Sequence, residues 1–178
     1  MSNLTIGFIG LGNMGGPMAA NLAAAGHTLR GNDVAGTTAE GVAEAATIAE
    51  AVAGADVVIT MLPNGAILRQ VAEEAIAHMA PGALLVDCST VDVESARFVA
   101  EAAEKAGLLF VDAPVSGGIG GAQGGTLPFM AGGAEAAFEK AKQLFDIMGQ
   151  KAVHCGDAGA GQAAKICNNM ILGATMIA

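Results

Sequence analysis

A lysine near the end of the sequence is the residue best suited to chemistry. Lys165 is the one charged residue in the run GAGQAAKICNNMILGATMIA, which extends from Gly159 to Ala178. Burial among apolar side chains disfavours an ammonium and lowers its pKa, so that the neutral amine can accept a proton as a general base. A lysine that lies on an apolar surface and reaches water with its ammonium remains the alternative.

A glycine-rich motif follows the apolar run TIGFI near the amino terminus. It reads G-x-G-x-x-G and consists of Gly10, Leu11, Gly12, Asn13, Met14 and Gly15. A strand, this tight turn and a helix N-terminus together bind the pyrophosphate of a dinucleotide. Asp33 follows Gly15 by 18 residues, where a carboxylate holds the ribose 2′-hydroxyl and repels a 2′-phosphate. The spacing therefore predicts NAD as cofactor rather than NADP, and a purely structural glycine turn is the alternative.

The elements that must position these residues alternate along the chain. Short β-branched runs predict strands at Leu4–Gly10, Thr28–Asp33, Asp56–Leu62, Ala83–Asp87 and Leu108–Asp112, and in GTLPFMAGG and KAVHCG. Ala-rich stretches predict helices at Asn13–Ala25, Thr38–Ala45, Gly65–His78, Val91–Ala106 and Ala134–Met148, and from Gly161 onward. Such alternation is typical of a parallel sheet covered by helices. We expect an α/β fold of the Rossmann type, a doubly wound and mostly parallel sheet.

The last predicted helix has no apparent partner in the sequence. An apolar helix must bury its face, either against another subunit or against a further domain, and we favour the domain. We therefore expect two parts: residues 1–160 as an NAD-binding domain, and residues 161–178 as the start of an interdomain helix. That helix would lead to an all-α C-terminal domain absent from this sequence.

Composition argues against several other classes of protein. The net charge is −9, with 8 basic and 17 acidic residues, and Trp and Tyr do not occur. Neither a nucleic-acid surface nor an anionic-membrane surface fits this composition. Three cysteines without ligand spacing predict reduced thiols and no metal site. The amino terminus does not read as a signal peptide, so we expect a cytoplasmic protein.

Four ordered motifs carry a family resemblance. FIGLGNMGGPMAANLAAAGH, DCST, DAPVSGG and GAGQAAKICNN together resemble the β-hydroxyacid dehydrogenases. The resemblance implies a Rossmann domain, a long helix and an all-helical domain, with the active site between the two domains. It also implies NAD, a small hydroxyacid substrate and a homo-oligomer when the protein is full length.

The resemblance further assigns roles to individual residues. Lys165 would be the catalytic acid/base, and the substrate would be held by Ser116, Gly117, Gly118 and Asn169. The nicotinamide side of the cofactor would be lined by Leu62, Pro63 and Thr90. Asp87 is expected to shape the turn in DCST rather than to act as a base.

Within the family, the motifs are most similar to members that oxidise 3-hydroxyisobutyrate to methylmalonate semialdehyde in valine degradation. Tartronate semialdehyde reduction, or another short β-hydroxyacid, is the alternative. A non-catalytic dinucleotide-binding fragment is the alternative of another class, whereas the lysine argues against an imine reductase. The stretch from Asp33 to Met61 is shorter than is usual in the family, which predicts a trimmed helix in the adenine-binding half.

Overall fold

A computed structural model describes residues 3–177, which form one sheet with helices on both faces. The strands are β1 (Thr5–Ile9), β2 (Thr28–Asn32), β3 (Val42–Glu44), β4 (Val57–Thr60), β5 (Leu84–Asp87), β6 (Leu109–Asp112), β7 (Leu127–Gly132) and β8 (Gly149–Gly156). They pair in the order β3-β2-β1-β4-β5-β6-β7-β8. All neighbours are parallel except β6 and β7. The expected doubly wound α/β fold is confirmed.

Residues 3–177 contain seven helices, six between strands and the last after β8. They are α1 (Gly15–Ala24), α2 (Ile48–Val52), α3 (Gly65–Ile76), α4 (Val93–Lys105), α5 (Gly118–Gln123), α6 (Glu135–Met148) and α7 (Ala160–Ile177). Strand side chains alternate between the two faces of a sheet. Leu84 and Val86 accordingly pack in one core with α1, α5 and α6, while Leu85 packs in a second core with α2, α3 and α4. Burial on both faces explains why the central strands read as continuous apolar runs.

The prediction of a helix at Thr38–Ala45 is wrong. Strand β3 occupies part of that stretch and pairs with β2 from Leu29↔Val42 onward. Gly41, just before β3, has a φ of +73°, a conformation that interrupts a helix and that glycine adopts readily. The helix comes later as α2, capped by Thr47, whose hydroxyl accepts from Glu50 N at 3.1 Å. Pairing with β2 therefore overrides the local helix propensity.

The glycine-rich run after β6 contains a short helix. Its glycines disfavour a helix, but residues 118–123 form α5. Ala122 is fully buried in the core, and Asn21 Nδ2 of α1 donates to its carbonyl oxygen at 2.8 Å. Contacts with α1 stabilise a helix that its four-residue stretch GIGG would not favour alone.

Helix α7 is buried at its first turns and exposed beyond them. Gly161, Gln162 and Lys165 are its buried residues. Its large exposed apolar side chains are Ile166, Met170, Ile171, Leu172, Met176 and Ile177. Within the described residues, no helix has both the length and the hydropathy needed to span a membrane.

Candidate active site

A cavity of about 930 Å³ opens at the carboxyl ends of β1, β2 and β4. Because β1 lies between β2 and β4, the connections that follow these strands leave towards opposite faces of the sheet, and a crevice forms between them. Its lining comes from the loop after β1, from residues 32–34 and 61–63, from the start of α2 and from one face of α3. This is the position at which open α/β sheets bind dinucleotides.

At two of the three motif glycines after β1, neighbouring protein atoms leave no room for a side chain, and at the third they do. A Cβ at Gly10 would overlap the carbonyl oxygen of Met61, and a Cβ at Gly15 would overlap that of Gly10. A Cβ at Gly12 would meet no protein atom within 4 Å, and Gly12 lines the cavity. Protein packing therefore explains the first and third glycines, whereas at Gly12 the open space fits the close approach of a pyrophosphate to the backbone.

Asp33 fastens this loop to the end of β2. Its carboxylate accepts hydrogen bonds from Leu11 N at 2.7 Å and from Ala35 N at 2.8 Å. Partial burial by itself raises the pKa of Asp33, but these backbone N–H groups and that of Thr37 outweigh it, so the pKa lies below its ordinary value. Asp33 is thus ionised at the cavity wall, where a carboxylate can accept from a ribose hydroxyl.

The predicted cofactor residues divide into a main group and two exceptions. The cavity is lined by Gly10, Gly12, Asn13, Met14, Gly15, Asp33, Leu62 and Pro63. Leu11 instead lies in the core at 3% exposure, where it contributes its backbone N–H to Asp33. Thr90 is exposed and does not line this cavity. Sequence reasoning missed Val34, Ile48, Ile67 and Val71, which also line it, because no motif marks them.

The predicted proton-transfer and substrate residues lie outside this cavity. Lys165 is 8% exposed, and burial lowers the pKa of its ammonium. None of the ion pairs among residues 3–177 includes Lys165. Asn169 lies one turn further along α7, on the same side of the helix, and is exposed.

The loop SGG follows β6 and leads into α5. Gly117 and Gly118 have φ values of +105° and +60° and are exposed, so their backbone conformation favours glycine. Ser116 is half-buried, and its N–H donates to the carbonyl oxygen of Pro128 at 3.0 Å. Gly117 and Gly118 are thus accessible to a ligand.

Two buried aspartates end the neighbouring strands β5 and β6, where they are register partners. Asp87 Oδ1 accepts from Thr60 Oγ1 at 2.8 Å and from Ser89 N at 3.1 Å, while its Oδ2 has no hydrogen-bond partner among residues 3–177. Burial raises the pKa of Asp87 to about 7. The expectation that Asp87 shapes the turn in DCST is confirmed by its bond to Ser89.

Asp112 holds the start of α7. Its carboxylate accepts from Gly159 N at 2.7 Å and from Gln162 N at 2.9 Å. Burial raises the pKa of Asp112 to about 6, against the opposing effect of these N–H groups. Sequence reasoning missed both Asp112 and Gln162. Asp112 could have been found from the sequence, because it is a carboxylate at the end of an apolar strand and begins the motif DAPVSGG.

Comparisons with known proteins place this geometry in context. Residues 5–156 match the family model described as the NAD binding domain of 6-phosphogluconate dehydrogenase. The chain is 51% identical to a probable 3-hydroxyisobutyrate dehydrogenase of Mycobacterium tuberculosis, over 98% of this chain and 61% of that protein. It is 48% identical to an NAD-dependent L-serine dehydrogenase of Pseudomonas aeruginosa, over 97% of this chain and 60% of that protein.

A solved structure agrees with these similarities. Mycobacterium tuberculosis 3-hydroxyisobutyrate dehydrogenase with L-serine superposes with a TM-score of 0.93, at 51% identity, and the match covers 96% of this chain and 60% of that one. The chain thus spans about 60% of the length of the relatives it matches.

The glycines generate a first prediction. Gly15→Ala should lower the free energy of unfolding by about 1–3 kcal/mol, because its Cβ overlaps Gly10. Gly12→Ala should change stability by less than about 0.5 kcal/mol yet weaken NAD binding about tenfold or more, because its methyl group enters the cavity. Urea denaturation and calorimetric NAD titration measure the two effects. Wild-type NAD affinity in Gly12→Ala would show that no phosphate approaches this glycine.

Asp87 generates a second prediction, about stability and pH. Its pKa in the folded protein lies above that of the unfolded chain, so the folded state binds the proton more tightly. From about pH 4 to about pH 7, stability should therefore fall as pH rises, by at most about 1.4 kcal/mol per pH unit from this group. Asp112 adds a slope of the same sign up to about pH 6.

Asp87→Asn keeps an acceptor for Thr60 and Ser89 but cannot ionise. Its unfolding free energy, measured by urea denaturation at several pH values, should lose the slope between pH 6 and 7. Asp146→Asn, which changes an exposed ion pair with Lys142, is the matched control and should retain that slope. If the unfolding free energy of Asp87→Asn kept the same dependence on pH, a group other than Asp87 would be responsible for that dependence.

Proposed function

Because this chain belongs to the family of NAD-binding domains of the 6-phosphogluconate dehydrogenase type, we propose that it is the cofactor-binding part of an NAD-dependent β-hydroxyacid dehydrogenase. The proposed reaction is the oxidation of 3-hydroxyisobutyrate to methylmalonate semialdehyde, the valine-degradation step. The observation that carries this proposal is the burial of the Lys165 side chain in α7, in a chain that also has a dinucleotide cavity.

The cofactor is proposed to be NAD rather than NADP. The ionised carboxylate of Asp33 lies at the cavity wall and would repel a 2′-phosphate. NAD, when bound, supplies the hydride acceptor. The backbone of the loop after β1, with Asn13 and Met14, would hold the pyrophosphate, while Leu62, Pro63 and Thr90 would flank the nicotinamide.

Lys165 is proposed as the general acid/base. Burial lowers the pKa of its ammonium, which makes the neutral amine available to accept the hydroxyl proton of the substrate. In the reverse reaction, the ammonium returns that proton. A bound substrate carboxylate favours the ammonium and limits how far the pKa falls.

The substrate is proposed to be a short 3-hydroxyacid held by its carboxylate. The Ser116 hydroxyl and the N–H groups of Gly117 and Gly118 would bind that carboxylate, and Asn169 would assist from α7. L-Serine is a second candidate, supported by the similarity to a protein named an L-serine dehydrogenase. Serine and 3-hydroxyisobutyrate share the hydroxymethyl group and the carboxylate. Tartronate semialdehyde remains a further alternative.

We also propose that residues 161–178 begin an interdomain helix. The exposed apolar side chains of α7 beyond Lys165 would then be covered by a helical domain that closes the site and excludes water. A cytoplasmic location and a homo-oligomer remain predictions.

The proposed activity is tested on the full-length protein with a panel of hydroxyacids. NADH formation is measured with 3-hydroxyisobutyrate, L-serine and D-glycerate, each with NAD and with NADP. The highest kcat/KM is expected with 3-hydroxyisobutyrate and NAD. Turnover of 3-hydroxyisobutyrate no better than that of D-glycerate would contradict the substrate assignment, and absence of turnover with every hydroxyacid would favour a non-catalytic binding domain.

A third prediction concerns Asp33. Asp33→Ala should weaken NAD binding by about 1–3 kcal/mol, the scale of a charge-assisted hydrogen bond, and should narrow the preference for NAD over NADP. Asp56→Ala is the matched control, because Asp56 also accepts a backbone N–H, from Thr5 at 2.8 Å, but does not line the cofactor cavity. Both affinities are measured by calorimetry. Equal NAD affinities in the two variants would exclude contact between Asp33 and the ribose.

A fourth prediction concerns Lys165. Lys165→Arg keeps a positive charge but cannot release a proton at working pH. We expect NAD binding to persist and kcat to fall by on the order of 10²–10⁴. In the wild-type protein, kcat/KM for oxidation should decrease as pH falls, because the amine becomes protonated. The pH–rate profiles of both proteins are the measurement, and a variant with most of its kcat and the same profile would assign the base elsewhere.

A further inference from the structure

The side-chain amide of Gln162 bridges α7 to the turn that contains Thr90. Gln162 Nε2 donates to Ser89 O at 2.8 Å, and Gln162 Oε1 accepts from Val91 N at 3.1 Å. The amide thus pairs with the backbone on both sides of Thr90, as a neighbouring strand would. Gln162 is fully buried, so water does not compete for these hydrogen bonds.

The backbone of Gln162 is held from the opposite side. Its N–H donates to Asp112 Oδ2 at 2.9 Å, and Gly159 N donates to Asp112 Oδ1 at 2.7 Å. At Gly161, a Cβ would overlap the carbonyl oxygen of Met130, which shows how closely the first turn of α7 lies on the sheet. This turn therefore has little freedom to shift while the hydrogen bonds persist.

The bridge continues to the proposed nicotinamide side. Ser89 Oγ accepts from Leu62 N at 2.8 Å, and Leu62 lines the cofactor cavity. Lys165 follows Gln162 by three residues and is buried on the same side of α7, because residues three apart are neighbours on a helix. One connected set of hydrogen bonds thus runs from the cavity wall to the turn that precedes the lysine.

We propose that Gln162 is a positioning residue, which fixes the helix of Lys165 relative to the nicotinamide-side residues Leu62 and Thr90. This inference rests on the proposed dehydrogenase function. Hydride and proton must leave neighbouring atoms of one substrate, so the acceptor groups on the two sides must keep a fixed separation. A displacement on the order of 1 Å can lower a rate about 10²-fold.

The test uses Gln162→Met and Gln162→Glu in the full-length protein. Methionine keeps the length of the side chain but lacks the amide, whereas glutamate keeps an acceptor for Val91 N. Gln143→Met is the matched control, because the side-chain amide of Gln143 makes an exposed hydrogen bond within its own helix α6, to Lys140 O. NADH-binding sites are counted by fluorescence titration, and kcat and KM for 3-hydroxyisobutyrate are then expressed per site.

We expect kcat per site to fall about 10- to 100-fold in Gln162→Met and less in Gln162→Glu, with the Kd for NADH within about threefold of wild type. Gln143→Met should match wild type. A kcat per site within about twofold of wild type in both Gln162 variants overturns the proposal. Loss of NADH sites in both variants also overturns it, because the amide would then maintain the fold itself.

An inactive wild-type protein identifies failure of the proposed function, and the positioning role fails with it. An active wild-type protein with unaffected Gln162 variants identifies failure of the positioning role alone.

Discussion

The loop after β1 passes so close to the neighbouring backbone that side chains are excluded at Gly10 and Gly15. This approach brings the start of α1 against the end of β1, at the crevice that opens at the carboxyl ends of β1, β2 and β4. Gly12, in contrast, is not required by the protein's own packing. Packing within the protein therefore requires glycine at positions 10 and 15, whereas at position 12 the loop faces open space that a ligand can occupy. The remainder of the cavity is built around that loop.

At the carboxyl ends of β5 and β6, buried carboxylates rather than glycines order the backbone. Asp87 and Asp112 lie side by side in the interior, where carboxylates are costly unless they are paired or protonated. Each accepts backbone N–H groups from the loop that follows or from α7, so each carboxylate orders a segment of the proposed site. Raised pKa values at such positions are common where buried groups serve a site rather than stability alone.

The site accordingly has two parts with different supports. The dinucleotide cavity is lined by side chains and backbone of residues 9–74 and depends on the glycines and Asp33. The proposed proton-transfer part depends on α7, which is buried at its first turns and is held by Asp112 and Gln162. The longer relatives agree with a site that a further domain would complete.

The sequence by itself determined seven of the eight strands, most helices and the dinucleotide motif, because these depend on local periodicity and on short fixed spacings such as that from Gly15 to Asp33. It did not determine the stretch Thr38–Ala45, where pairing with β2 decides the conformation. Nor did it reveal Gln162, whose partners lie 71 and 73 residues away in the chain. Only the tertiary structure decided these features, because a side-chain amide has no characteristic spacing from the distant backbone groups that it binds.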